Sequence, residues 1–132
     1  MAAMTQFLHT MVRVTDPPKS RAFYEALGFT FAREMDIVRN GEKEATNYFF
    51  SLPGSDNVLE LTFNHDGRSY DVGTGYGHIA LAVDDLQASL ARLAQQGIEP
   101  EREPYRVREG GSLIAFVRDP DGYRIELIEK NQ

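Results

Sequence analysis

Two histidines and two glutamates recur at matched positions in this 132-residue chain. An offset of 69 residues carries His9 onto His78, and an offset of 66 carries Glu60 onto Glu126. Each half therefore holds one imidazole and one carboxylate, donor types that suit a divalent cation of hard or borderline character. Glu60 stands between Leu59 and Leu61, and Glu126 between Ile125 and Leu127, so in an extended segment each acid faces away from its apolar neighbours. A solvated strand face accounts for one such glutamate, and a core or surface role for one such histidine. Neither accounts for the same pair in both halves. We read His9, Glu60, His78 and Glu126 as metal ligands. The third histidine, His65, has no counterpart at either offset and stands beside Asp66-Gly67, which predicts a loop residue. Cysteine is absent, which excludes thiolate ligands, disulfides and a cysteine nucleophile.

The elements that must position these groups repeat as well. The offset of 69 relates Asp16 to Asp85 and Gly28 to Gly97, a favoured helix N-cap and a favoured residue just past a helix end. Each pair brackets a helix. Pro17 suits a first helical turn, and Leu86, Leu90 and Leu93 recur on one helical face, so both helices are expected to pack one side onto a sheet. Ahead of the helices, segments 9–14 and 78–83 read as strands, with branched residues and no interior Gly or Pro. Behind them, segments 48–52 and 58–64, joined by Pro53-Gly54, parallel segments 113–118 and 123–129 around Asp119-Pro120-Asp121-Gly122. The predicted unit is β-α-β-β-β used twice, an α+β fold in one domain, with module one at about 7–66 and module two at about 76–130.

Strand alternation then places further side chains. His9 shares a face with Met11 and Arg13, and Glu60 with Thr62 and Asn64. At about 3.3 Å per residue, Arg13 and Asn64 lie about 13 Å along their strands from the proposed ligands. Arg13 can hold a carboxylate through two charge-assisted hydrogen bonds, and Asn64 can donate and accept.

Composition limits the partners. A formal charge of −6, from 14 Lys and Arg against 20 Asp and Glu, repels nucleic acid and anionic membranes. No apolar run approaches the roughly 20 residues that span a bilayer, and the segment 1–6 lacks the charged and apolar regions of a signal peptide. A cytoplasmic protein acting on a small molecule is expected.

Four blocks together resemble glyoxalase I (lactoylglutathione lyase) of the vicinal-oxygen-chelate superfamily: residues 8–14, 59–64, 73–81 and 115–127, in order, carrying His, Glu, His and Glu. The resemblance covers nearly the whole chain, and the four-ligand set distinguishes it from related ring-cleaving dioxygenases and thiol-transferring resistance enzymes. It implies curved mixed sheets that form metal clefts in a homodimer, with first-module ligands from one subunit and second-module ligands from the other. It assigns His9, Glu60, His78 and Glu126 to the metal, with nickel or cobalt favoured by the compact chain and zinc the alternative. It assigns Arg13 and Asn64 to the γ-glutamyl end of glutathione, and Arg106 or Arg108 to its glycyl end. The implied substrate is the hemithioacetal of methylglyoxal with glutathione or another thiol. Its adjacent oxygens suit chelation, which acidifies the neighbouring C–H, and a glutamate removes that proton to give an enediolate. Reprotonation yields the 2-hydroxyacyl thioester. The resemblance makes Glu126 the base and Glu60 its counterpart.

Two stretches depart from the family pattern: the connection 35–47, and the loop 105–111, where arginines replace the common lysine. Both are expected to border the substrate. Two alternatives use the same scaffold: an acyl-CoA epimerase, and a non-catalytic small-molecule binding or resistance protein.

Overall fold

The computed structural model describes residues 3–130. Strands and helices follow one another as β1 (Thr10–Arg13), α1 (Pro17–Ala26), β2 (Thr30–Arg39), β3 (Glu42–Leu52), β4 (Ser55–Asn64), β5 (Ile79–Val83), α2 (Leu86–Ala94), β6 (Tyr105–Arg106), β7 (Leu113–Arg118) and β8 (Arg124–Glu129). This is β-α-β-β-β twice, as predicted. Two four-stranded sheets have the orders β1-β4-β3-β2 and β5-β8-β7-β6. In each, the first strand of the repeat runs parallel to the last, and the remaining neighbours are antiparallel. The first strand and the last thus lie side by side. A histidine just ahead of one and a glutamate within the other are brought together by topology.

The chain forms two compact units. One comprises the segment ending at Pro17 together with Gly28–Tyr70; the other comprises Pro18–Leu27 and Asp71 onward. Helix α1 lies in the first repeat of the sequence and is grouped by its contacts with the second unit. There, Tyr24 Oη donates a 2.6 Å hydrogen bond to Asp119 Oδ2. Asp119 Oδ1 meanwhile accepts from the amides of Asp121 and Tyr123, which fixes the Asp-Pro-Asp-Gly turn. Both side chains are buried. Burial and the neighbouring carboxylate push the Tyr24 phenol well above its usual range, so it serves as a donor. The sequence signal, Tyr24 in a helix and Asp119 in a turn 95 residues away, carries no periodicity that could pair them. Tyr24→Phe removes the donor and strands a buried carboxylate oxygen; a loss of about 1.5–3 kcal/mol in denaturant-unfolding stability is expected.

Helix α2 behaves as its sequence reads. Asp85 caps it by accepting from the Ala88 amide, and Leu86, Leu90 and Leu93 are buried on the side packed against β7 and β8. Burying a leucine side chain fully contributes roughly 1.5–3 kcal/mol. Beyond the helix, Gly97 adopts a φ of 78° and its amide bonds back to Ala94, a turn that favours glycine.

The predicted connection 35–47 is not a loop. β2 and β3 form a long hairpin, turned at Asn40-Gly41, whose φ values of 53° and 78° are both positive. Asn-Gly is the favoured pair for such a two-residue turn, so the signal was present in the sequence.

Candidate metal centre

The predicted ligands fall into two pairs, one in each unit. His9 immediately precedes β1. Glu60 lies within β4, flanked in register by Met11 of β1 and Phe49 of β3. Leu59 and Leu61 point to the opposite, buried face, as the alternation requires. His9 Nε2 lies 3.9 Å from Glu60 Oε1. In the second unit His78 precedes β5, and Glu126 of β8 is flanked by Ala80 and Phe116. His78 Nε2 lies 3.1 Å from Glu126 Oε1. The exposures match closely: 37% and 38% for the two imidazoles, 14% and 16% for the two carboxylates. Each carboxylate is thus largely withdrawn from water while its imidazole stays open to a ligand. Among the described residues no three His, Asp or Glu side chains gather into a metal-holding group.

An aromatic partner that sequence reasoning missed completes each pair. The Phe49 ring meets His9 edge to face at 6.1 Å and 83°, and Phe116 meets His78 at 5.2 Å and 78°. A guanidinium covers each ring, Arg33 over Phe49 at 4.4 Å and Arg124 over Phe116 at 3.7 Å. The available signal was hairpin register, since each phenylalanine lies directly opposite its glutamate. Arg124 is itself held by several hydrogen bonds to Glu101. Those bonds keep the Glu101 carboxyl below its usual range and raise the guanidinium.

Arg13 and Asn64 line one surface pocket of about 610 Å³, with Arg39, Lys43, His65 and Arg68. Arg39 pairs with Glu44, Lys43 with Asp36, and Arg68 with Asp66. Arg13 has no carboxylate partner among the described residues, which leaves its guanidinium available to an anion. Asn64 Nδ2 donates to Tyr70 Oη at 2.6 Å. His65 follows β4 directly and turns to the buried Thr46 hydroxyl at 2.8 Å, away from the ligand pairs. Thr46 in turn donates to Asp36 and holds that carboxyl below its usual range. Arg106, in β6, donates to the Gly111 carbonyl. Arg108 lines a smaller pocket of about 210 Å³ that includes Ile114, and Ile114 pairs with Ile128 two residues beyond Glu126.

With the paired His–Glu sheets in view, comparison with known proteins identifies the class. The sequence matches the Glyoxalase/Bleomycin resistance protein/Dioxygenase superfamily over residues 6–127, and the chain belongs to that family. Within it, the lactoylglutathione lyase of Salmonella typhimurium is 43% identical over 94% of this chain and 92% of its own. Glyoxalase I of Zea mays superposes with a TM-score of 0.83 at 36% identity, over 96% of this chain and 45% of the maize chain. This chain thus spans under half of the plant protein. The trypanothione-dependent glyoxalase I of Leishmania major gives a TM-score of 0.76 at 37% identity, over 96% and 87%.

Proposed function

We propose that this lyase of the glyoxalase I type converts the hemithioacetal of methylglyoxal and glutathione into the 2-hydroxyacyl thioester S-lactoylglutathione. The observation that carries the reading is the matched pair of His–Glu half-sites, in each of which the histidine immediately precedes a strand parallel and adjacent to the glutamate's and is backed by a phenylalanine. Two imidazoles and two largely desolvated carboxylates fit a divalent cation, with nickel or cobalt proposed and zinc the alternative. His9, Glu60, His78 and Glu126 would hold it. The fit is by halves, so we assign the complete shell to a homodimer, with His9 and Glu60 from one subunit and His78 and Glu126 from its partner. Such a cation supplies Lewis-acid stabilisation for negative charge that develops on substrate oxygen.

The chain's own residues supply the rest. Arg13, without a carboxylate partner among the described residues and beside Asn64 in the pocket, grips the γ-glutamyl carboxylate of the thiol. Arg106 or Arg108 meets the glycyl end. Glu126 accepts the proton from the carbon bearing hydroxyl and sulfur, then returns it to the neighbouring carbon, so the step is an internal redox isomerisation with no external oxidant. Phe49 and Phe116 meet the imidazoles edge to face and hold each ring's orientation. The substrate being a small anion, we place the protein in the cytoplasm, with neither nucleic acid nor membrane as partner. No helix among the described residues is long and apolar enough to cross a membrane.

The test is metal analysis of the purified protein combined with an assay of thioester formation from methylglyoxal and glutathione. A divalent ion retained at about one per chain, with thioester formation that stops on chelation and resumes on adding nickel or cobalt, is the expected result. A His9→Ala/His78→Ala double variant that binds metal as well as the wild type would overturn the ligand assignment.

A further inference from the structure

The two half-sites agree in their ligands but differ in what stands beside each carboxylate. On the face of the first sheet that carries Glu60, the next cross-strand pair is Asn47 with Thr62. Thr62 Oγ1 donates to Asn47 Oδ1 at 2.8 Å and lies 3.3 Å from Glu60 Oε2. Asn47 and Thr62 are both buried. In the second sheet the corresponding pair, one step beyond Phe116 and Glu126, is Ile114 with Ile128. Hydrocarbon offers no hydrogen bond. Among the described residues Glu126 accepts none from a hydroxyl or an amide, its near neighbour being the His78 ring.

Resting on the glyoxalase I reading, we propose that Thr62 and Asn47 are positioning residues. They tether Glu60 as the fixed carboxylate, and their replacement by isoleucines in the second sheet leaves Glu126 free to turn toward a substrate proton. The physical basis is the single hydroxyl proton of Thr62. A half-turn of the Asn47 amide presents N–H to the Thr62 oxygen and releases that proton for Glu60. The polar pair is buried and mutually satisfied, so breaking it at one end leaves the other unmatched, which makes the arrangement stiff. Glu126 stands in register with Phe116 and one step from the isoleucine pair; its charged neighbours are the His78 ring at 3.1 Å and the Arg124 guanidinium, so its carboxylate can change rotamer without breaking a bond to a hydroxyl.

The experiment measures chelator-driven release of the resident divalent ion, a readout independent of turnover, in Thr62→Val, Thr62→Ala and Thr62→Ser proteins. Loss of the hydroxyl in Thr62→Val is expected to speed release about tenfold, the equivalent of one net hydrogen bond, and Thr62→Ser is expected to restore the slow rate. Thr62→Ala removes the hydroxyl without a new methyl contact and serves if the valine variant does not fold. With Glu60 untethered, the Glu126→Gln/Thr62→Val double variant is expected to be about tenfold more active than Glu126→Gln alone, since Glu60 can then reach the proton. A residue that only supports the fold would lower that activity further. Release at the wild-type rate in Thr62→Val, or equal acceleration in Thr62→Ser, overturns the proposal. A wild-type protein that retains no divalent ion and forms no thioester overturns the underlying reading as well. An active wild type with insensitive variants overturns this inference alone.

Discussion

Glu126→Gln is expected to lower turnover by about 10²–10⁴, the range that a positioned general base contributes, while the protein keeps its metal. The substitution preserves size and one oxygen donor but removes the basic carboxylate. In the structure Glu126 faces away from the buried Ile125 and Leu127, beside Phe116 and within 3.1 Å of His78 Nε2, so the amide occupies the same place without disturbing the core. Turnover and metal content measured on the same preparation separate chemistry from binding. Glu60→Gln is expected to retain more activity. A fully metallated Glu126→Gln enzyme with a near-normal rate would exclude Glu126 as the base.

The second large effect comes from mixing inactive chains. His9→Ala damages the first half-site and Glu126→Ala the second, and each homodimer should be inactive. In a heterodimer whose sites join the first half of one subunit to the second half of the other, one site carries both lesions and the other carries none. Activity of about half the wild-type level per dimer is therefore expected from purified, differently tagged heterodimers, as two-fold symmetry dictates. Pairing His9→Ala with Glu60→Ala instead places a lesion in both sites and should recover nothing. If the first mixture also stays inactive while folded and dimeric, the ligands are not divided between subunits.

The two His–Glu pairs and the element order were legible because the sequence carries them twice. His9, Asp16, Gly28 and Glu60 each have a counterpart, and the two occurrences support each other where one would not. Asp85 and Gly97 bound their helix as their types require, and the leucines of α2 are buried as their spacing demands. Residues with no repeat were harder to place. Asn40-Gly41 marks a hairpin turn, but no apolar alternation flanks it, because Met35, Ile37 and Val38 of β2 are exposed. Phe49, Phe116, Asn47 and Thr62 acquire their meaning from cross-strand register, which depends on a turn and a bulge that composition does not encode. The allocation of α1 was illegible for a different reason. Its partner Asp119 lies in the other half of the chain, and repetition predicts neighbours within a copy, not across copies.

That allocation bears on how the protein comes into being. The chain leaves the first unit after Pro17, supplies a helix to the second, returns at Gly28 and leaves again after Tyr70. During synthesis α1 emerges before Asp119, the carboxylate that accepts from the Tyr24 hydroxyl in the fold and that follows 95 residues later. At a ribosomal pace of about 5–20 residues per second, the helix waits for several seconds at least. Ten residues are too few for it to persist alone in water. The second unit therefore draws a helix from the first half of the sequence onto the second half, and its assembly is a long-range event of the kind that slows folding. The two sequence repeats and the two compact units do not coincide, because α1 belongs to the first repeat and to the second unit.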